Sequence, residues 1–213
     1  MMKLVSPYRN IKQYTKISLE GYHLNSDIKN NMKIVLKKKL EKRCNKNGYI
    51  DEIYSILEYS DGYIPKENLN GSVIYDIIFY CKMCIPIENT IIIGQVRIIN
   101  QELIVAINGP IMFFIPKENI DSNIWNIALG YFNNNLKKKL QVGDFIKIQI
   151  LDKRINRYDT QIKTIGKLLD NASDTEINMY FGNAIIKENE KNKEKEKEND
   201  NENEINNIID VNT

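Results

Sequence analysis

The chain has 213 residues, of which 42% are hydrophobic and 27% are charged, so it is long enough to bury one or two small cores. No stretch reaches the roughly 18 uncharged apolar residues of a membrane helix, and the first ten residues lack the apolar core of a signal peptide. The three cysteines, Cys44, Cys81 and Cys84, are few and odd in number, which is typical of a reducing compartment. These features favour an intracellular protein and argue against a membrane-spanning or secreted one.

The charge is distributed unevenly along the chain. Residues 1–186 hold 25 basic and 19 acidic side chains, whereas residues 187–213 hold 5 lysines and 9 acidic side chains. A moderately basic body permits contact with nucleic acid, although a solvated charged surface explains the same composition equally well. The segment 187–213 is too polar to bury apolar surface, so we predict a disordered charged tail.

A strand is predicted near the N-terminus. After a loose extension over residues 1–10, the segment 11–24 contains an alternating stretch that includes Tyr14, Ile17 and Leu19. Alternation of this kind is typical of a strand that buries one face.

The next segment predicts a helix over residues 25–46. Asn25-Ser26-Asp27 supplies cap candidates and an early acidic residue, and Asn47-Gly48 supplies a stop and a turn. Five apolar residues between them recur at helical spacing and form one face. They are Ile28, Met32, Val35, Leu36 and Leu40.

Two further strands complete a first domain. Residues 49–59 predict a strand with a bulge, and the β-branched run 72–85 predicts another, ended by Pro86, which cannot donate to a ladder. A polar connector, 60–71, joins them. Residues 1–86 are therefore predicted to form an antiparallel sheet with one helix laid across it.

The rest of the body changes to short strands. Ile120, Ile124 and Ile127 are spaced as in a short helix, and this helix falls between the third and fourth of five predicted strands. The strands are predicted at 90–99, 103–107, 111–115, 143–151 and 161–169. Five strands with a helix after the third are the pattern of an OB-fold barrel. Residues 87–186 form this second domain, with a last strand or short helix at 177–186.

Short motifs between residues 14 and 170 occur in a fixed order. They are the helix ending before Cys44, Gly48-Tyr49-Ile50, Gly71-Ser72-Val73-Ile74-Tyr75, Pro86, Gly94-Gln95-Val96, Asn108-Gly109-Pro110, Phe114-Ile115, Gly143-Asp144 and Ile165-Gly166-Lys167-Leu168-Leu169-Asp170. In this order the chain resembles the stalk-subunit family of multisubunit DNA-directed RNA polymerases, that is, the seventh subunit of eukaryotic polymerase II and its archaeal E-type counterpart. One departure is Asn100-Gln101-Glu102, which stands where the family usually has a glycine between the first two barrel strands.

The resemblance implies an architecture and a role. The fold would be α+β but mostly β, with an N-terminal tip domain followed by an OB barrel of the ribosomal S-one type. The chain would be a noncatalytic transcription subunit that pairs with a small helical partner subunit, docks on the polymerase core and contacts nascent single-stranded RNA. No cofactor or metal is implied. The compartment would be the nucleus for a cellular source, and the host cytoplasm or virion for a large DNA virus.

Candidate RNA contacts lie on the predicted barrel. OB folds bind single strands through cations and exposed aromatic or apolar side chains. Strand alternation places Phe113 and Phe114 on opposite faces, so only one of them belongs to the core. The predicted RNA-binding residues are Arg97, Phe113, Phe114, Lys153, Arg154, Arg157 and Tyr158.

Candidate docking residues lie in two turns of the first domain. An exposed apolar pair at a loop tip usually indicates a contact, and the connector contains Tyr63 and Ile64 between Gly62 and Pro65. By resemblance, this loop would dock on the polymerase core. The turn ending in Asn47 and Gly48 is expected to lie beside it.

Catalysis and metal binding have little support in the sequence. His23 is the single histidine and has no nucleophile beside it, and no phosphate-binding glycine motif occurs. Cys81 and Cys84 have zinc spacing, but a zinc site needs four ligands, so core cysteines are the favoured interpretation. The alternatives are a free-standing single-stranded RNA-binding module, for translation or RNA decay, and a hydrolase on an OB fold.

Overall fold

The computed structural model describes residues 4–66, 70–127 and 130–182. It divides the chain into two compact units, the first ending at Asn171 and the second beginning at Ala172. The first unit is mostly β, as predicted. Its strands and helix, in chain order, are β1 (Tyr8–Leu19), α1 (Ile28–Leu40), β2 (Arg43–Cys44), β3 (Tyr49–Tyr59), β4 (Val73–Cys84), β5 (Ile91–Ile99), β6 (Leu103–Asn108), β7 (Ile111–Pro116), β8 (Trp125–Asn126), β9 (Phe132–Asn133), β10 (Lys138–Lys139), β11 (Phe145–Arg154) and β12 (Ile162–Asn171).

The N-terminal half forms an antiparallel sheet in the order β1-β4-β3-β2, with α1 on one face. Met32 and Leu36 are fully buried, and they belong to one core with Ile53 and Phe79 of the sheet. Burying a side chain of this kind stabilises a fold by about 1.5–3 kcal/mol. The predicted apolar face of the helix is therefore its packing face. We call this half, up to Pro86, the tip domain.

The helix is shorter than the sequence indicated. It ends at Leu40 rather than 46, because Lys42 adopts a positive φ of 60° that no helix tolerates. The Lys42 amide then donates to the Ile50 carbonyl at 2.8 Å, which begins the pairing of β2 with β3.

The N-terminal segment is also more ordered than predicted. Strand β1 begins at Tyr8, within the expected loose extension. The Ile85 amide donates to the Pro7 carbonyl at 2.8 Å, and the Val5 amide donates to the Ile91 carbonyl at 3.1 Å. These bonds attach the segment to both halves of the first unit.

The C-terminal half is a closed barrel in the order β11-β12-β7-β6-β5. Strand β12 runs parallel to β7, and β5 closes the barrel against β11, which is the strand arrangement of the predicted OB fold. Two glycines make room inside. A Cβ added to Gly94 would lie 3.4 Å from the Phe113 ring, and one added to Gly166 would lie 2.4 Å from the Ile148 side chain.

The predicted helix between the third and fourth barrel strands is wrong in its described part. Residues 117–119 form a single 3-10 turn, and the short strands β8, β9 and β10 form a small separate sheet. Consecutive positive φ angles at Gly130 and Tyr131 are incompatible with a helix. Of the three spaced isoleucines, Ile120 is buried where it bridges Leu168 of β12, and Ile124 and Ile127 are half-buried. The fully buried side chain of this segment is Trp125, whose Nε1 donates to the Leu169 carbonyl at 3.2 Å.

This small sheet supports the first barrel hairpin, where the family glycine is absent. The buried Tyr131 hydroxyl lies within hydrogen-bond distance of two carbonyl oxygens, 2.7 Å from Asn100 and 3.0 Å from Gln101. Lys117 pairs with Glu102 at 2.6 Å. Side chains from outside the hairpin therefore fix a turn that a glycine would otherwise form alone.

The second unit begins with a helix whose described part covers residues 174–182. The Ser173 amide donates to a Glu176 carboxylate oxygen at 2.9 Å and the Glu176 amide donates to the Ser173 hydroxyl at 3.3 Å, which is a capping box. Of the two alternatives for 177–186, the described residues form the helix. The predicted tail, 187–213, lies outside the described residues, and the domain boundary at 86 stays a prediction.

Candidate nucleic-acid interface

Four neighbouring barrel strands carry one apolar row on the outer face of the barrel. Ile98 on β5 lies opposite Val105 on β6, and Val105 lies opposite Phe114 on β7. Phe114 in turn lies opposite Ile165 on β12. Ile98 is 49% exposed and Ile165 is 43% exposed, whereas Phe114 is half-buried and Val105 is buried at 7% exposure, so three of the four side chains are open to a ligand. We call these four residues the outer row.

Exposed cations flank the outer row. Arg97 lies in a β-bulge of β5 next to Ile98, and Lys163 is two residues before Ile165 on β12. Arg154 of β11 is the register partner of Lys163. None of these three cations forms an ion pair with an acidic side chain in the part of the chain that the structure describes. An aromatic ring among apolar side chains, with free cations beside it, suits a single-stranded nucleic acid.

The structure separates the two candidate phenylalanines. Phe113 is fully buried inside the barrel, so it cannot offer its ring to a base, and its prediction as an RNA contact is wrong. Phe114 points outward from the same strand. Of the pair, Phe114 is therefore the candidate for stacking.

Lys153 has a different role from the predicted one. Its Nζ donates to the Pro86 carbonyl at 2.9 Å and lies 3.9 Å from a carboxylate oxygen of Glu88. Its ammonium group is thus occupied at the connection between the tip domain and the barrel. Pro86 was predicted to end the long strand where the chain passes from one half to the other. It lies between β4 and β5, so its carbonyl is outside the strand pairing and can accept this bond.

The loop between β11 and β12 also lies at this junction. The Cys44 amide donates to the Asp159 carbonyl at 2.8 Å, and the Tyr158 amide donates to the Cys44 carbonyl at 2.8 Å. Arg157 and Tyr158 remain exposed, but their loop is hydrogen-bonded to the tip domain rather than extended as a free RNA-binding loop. The two residues face the end of the tip sheet, beside Gln13 and Asn47.

The three cysteines are buried, as the core interpretation predicted. Burial raises the pKa of the Cys44 thiol to about 11, with the Asp159 charge adding to it, and raises the pKa of Cys81 to about 11. The pKa of Cys84 is raised further by its deeper burial. These thiols stay protonated at neutral pH. The described residues hold no group of three or more His, Cys, Asp or Glu side chains placed for a metal.

The two predicted docking turns are far apart, so the expectation that they lie side by side is wrong. Tyr63 pairs with Ile74 at the start of β4, whereas the strand after Gly48 pairs with Cys84 at its end. Ten residues of strand separate these positions, or roughly 33 Å. Asn47 donates to the Gln13 side chain at 3.1 Å, and a Cβ on Gly48 would lie 2.6 Å from the Cys84 carbonyl. This turn belongs to the junction.

The other turn presents an apolar pair at the free end of the tip domain. Ile64 is 58% exposed and Tyr63 is 43% exposed, while Pro65 is half-buried. Two backbone bonds between Tyr63 and Ile74, of 3.0 and 2.9 Å, hold the segment. Gly62 fits closely, since an added Cβ would lie 2.4 Å from Val73. We call residues 62–65 the tip loop.

A carboxylate between two lysines stabilises the edge of the tip sheet. Asp51 accepts from Lys42 at 2.7 Å and from Lys82 at 2.9 Å. Burial opposes ionisation of Asp51, but the hydrogen bonds and charges of the two lysines outweigh it and lower the pKa of the carboxyl group. Lys82 also lies over the Tyr8 ring, 4.5 Å from its centroid.

We expect Asp51→Asn to destabilise the chain by about 1–2 kcal/mol at pH 7, because it leaves two lysines without their shared carboxylate. The folded-state pKa of Asp51 is lowered, so its contribution is complete above the ordinary pKa of 3.8 and decreases as the pH falls below it. Urea unfolding of the unmodified protein and the variant at pH 7 and pH 3 measures the difference in their free energies of unfolding. If that difference is the same at both pH values, the predicted role of the ionised Asp51 is wrong.

Sequence reasoning missed much of the outer row. Ile98, Val105 and Ile165 were assigned to strands but not to a shared surface, and Lys163 was not singled out. The available signal for Val105 and Ile165 was alternation, since each lies between two buried residues of its strand, whereas the bulge at Arg97 gives Ile98 the parity of the buried Val96. That signal does not tell which strands lie side by side.

The fold defines a class of mostly-β protein, in which an OB barrel with an apolar and cationic outer face follows a sheet-and-helix domain. No protein-family model matches the chain. A curated protein of Acanthamoeba polyphaga mimivirus, named as a putative DNA-directed RNA polymerase subunit, is 34% identical to it over 178 residues. The match covers 82% of this chain and 88% of the relative. The chain belongs to this family of DNA-directed RNA polymerase subunits, in agreement with its resemblance to stalk-type subunits.

No helix among the described residues is long and apolar enough to cross a membrane.

Proposed function

We propose that the chain is the noncatalytic stalk subunit of a DNA-directed RNA polymerase, with its tip domain docked on the core and its barrel in contact with nascent RNA. The observation that supports the RNA contact most directly is the outer row with its unpaired cations. The exposed tip loop supports docking through the tip domain. The small helical partner subunit and the absence of a catalytic role rest on the resemblance to the stalk family.

The viral source of the relative supports an inference about the compartment in which this chain acts. Because that protein is viral, we infer that this chain acts inside an infected cell, in the host cytoplasm or packaged in the virion, rather than in the nucleus. The mimivirus relative is named as a polymerase subunit, which favours the stalk role over the free-standing RNA-binding alternative.

We expect Phe114→Ala to weaken binding of single-stranded RNA roughly 5- to 150-fold, because stacking of one base on an aromatic ring contributes about 1–3 kcal/mol. Arg97→Ala/Lys163→Ala should reduce the slope of log affinity against log salt by about 1.4, since each phosphate contact on a single strand adds about 0.7. Both are measured by fluorescence anisotropy with a labelled oligonucleotide at several salt concentrations.

Lys153→Ala is the matched control, because its ammonium group is already bonded to Pro86. It should bind RNA with the affinity of the unmodified chain. If Phe114→Ala binds equally well while Lys153→Ala does not, the RNA surface lies at the junction and the assignment to the outer row is wrong.

A further inference from the structure

Strand β1 is the edge of the tip sheet and is unusually regular. It pairs only with β4, and the register runs without a bulge over twelve residues, from Tyr8 opposite Cys84 to Leu19 opposite Val73. On its other side, no strand in the described part of the chain pairs with it. Natural sheets usually protect such edges with bulges, prolines, short strands or charged side chains, and of these devices β1 has only the charges of Arg9, Lys12 and Lys16.

The structure shows which backbone groups of β1 face outward. On β4, Asp76 and Ile74 direct their backbone groups away from β1. The Ser60 amide donates to the Asp76 carbonyl at 2.9 Å, and Ile74 exchanges two bonds with Tyr63. Their register partners on β1, Lys16 and Ser18, therefore direct their own N–H and C=O groups away from β4.

Outward-facing groups recur at every second residue of an antiparallel strand. Beyond Tyr8, whose amide donates to the Ser6 hydroxyl at 3.4 Å, those of β1 belong to Asn10, Lys12, Tyr14, Lys16 and Ser18. Among the described residues, the one bond to these backbone groups is from the Gln13 side chain to the Lys12 carbonyl at 3.1 Å. The edge is a row of donors and acceptors that repeats about every 6.8 Å, and no strand of the described residues pairs with it.

We propose that this edge binds an extended, acidic peptide segment of another polymerase subunit as a fifth strand of the tip sheet. A polypeptide is the ligand whose backbone repeats donors and acceptors at the same spacing. The inference deepens the docking part of the proposed function and does not depend on RNA contact.

The charge along β1 favours an acidic partner and disfavours a second copy of this chain. Lys12 is exposed, and the Lys16 side chain is 56% exposed even though it lies 3.5 Å from Asp76. Two β1 strands paired antiparallel about Tyr14 would place Lys12 of each copy opposite Lys16 of the other. Like charges directly opposite each other destabilise a strand pair, whereas aspartate or glutamate there would stabilise it.

The test removes two outward N–H groups and keeps the ladder to β4. Proline is tolerated on an edge strand where its missing N–H faces solvent, so Lys12→Pro/Lys16→Pro leaves the inward bonds in place. The matched control is Lys12→Ala/Lys16→Ala, which removes the charges and keeps the N–H groups. The probe is polymerase core reconstituted without this chain. We expect at least tenfold weaker association for the proline variant and less than about threefold for the alanine variant.

Hydrogen exchange of the unmodified chain gives a second readout that does not depend on how the variants fold. In the free chain, the amides of the five outward residues should exchange rapidly, and in the complex they should slow at least 100-fold. The amides of the residues between them should be protected in both states. Rapid exchange of the outward amides in the complex would overturn the proposal. Protection in the free chain, together with a dimeric mass, would identify a second copy as the occupant and also overturn it.

Failure of the strand-addition inference can be distinguished from failure of the docking proposal as a whole. If tip-loop substitutions abolish association but the proline variant associates normally, the tip domain docks and the strand-addition inference alone is wrong. The proline variant should bind RNA with the affinity of the unmodified chain. Such a result would show that its barrel is intact.

Discussion

Replacing Tyr63 and Ile64 together by aspartate is expected to abolish association of the chain with the polymerase core and to leave its thermal unfolding unchanged. Both side chains are exposed at the end of the tip domain, and the intramolecular contact that is lost is the one between the exposed Lys16 ammonium group and the Tyr63 hydroxyl and ring. The bonds that hold the tip loop to Ile74 use backbone atoms and survive the substitution. Two carboxylates buried in an apolar interface would each lose hydration without a partner. Affinity purification of the tagged chain, with quantification of the large subunits that copurify, measures the effect.

Asn47→Asp is the control for added negative charge on the tip domain. Asn47 lies in the other turn, roughly ten strand residues from the tip loop along β4, and its side chain donates to that of Gln13. We expect it to copurify with the core like the unmodified protein. Normal copurification of the Tyr63→Asp/Ile64→Asp variant would show that the tip loop is not the docking surface.

Phe113→Ala should produce the largest loss of stability of any single substitution considered for the barrel, about 3–5 kcal/mol. The ring is fully buried, and Gly94 leaves just enough room for it, so its removal opens a cavity that the closed strands cannot fill. Denaturant unfolding followed by circular dichroism gives the free energy directly.

Phe114→Ala, one residue along the same strand, is the matched comparison. Its ring is half-buried on the outer face, so we expect a loss of about 1 kcal/mol or less together with the loss of RNA affinity. Equal destabilisation by the two substitutions would contradict the assignment of Phe113 to the core and Phe114 to the surface.

The junction connects the two proposed activities. The bonds from Lys153 to Pro86 and between Cys44 and the 158–159 peptide fix the barrel against the tip domain. Docking of the tip loop on the core would therefore also set the direction of the outer row. Of the cations predicted at the β11–β12 loop as RNA contacts, Lys153 holds this geometry and Arg157 lies beside it, whereas Arg154 lies beside the outer row.

Several elements were determined by the sequence itself. Strand β3 covers residues 49–59, as the turn signals on either side predicted, and each barrel strand was located to within a few residues. The packing face of α1 followed from its apolar spacing. These features depend on the apolar periodicity of a segment and on the Gly, Asn and Pro residues at its two ends. The periodicity and the end residues are both visible within the segment itself. The order of strands then matched an OB barrel because five strands of this length have few ways to close.

Other features were decided by the tertiary structure alone. The apolar spacing at 120–127 predicted a helix, but Trp125 is buried by its contact with β12, 44 residues away. Lys153 and Tyr158 are bonded to the tip domain, and the tip loop lies far from Asn47, because of pairings between distant segments. The outer row exists only through the register of four strands. Periodicity reports which face of a segment is buried, but it carries no information on what lies opposite, since that depends on how distant parts of the chain pack.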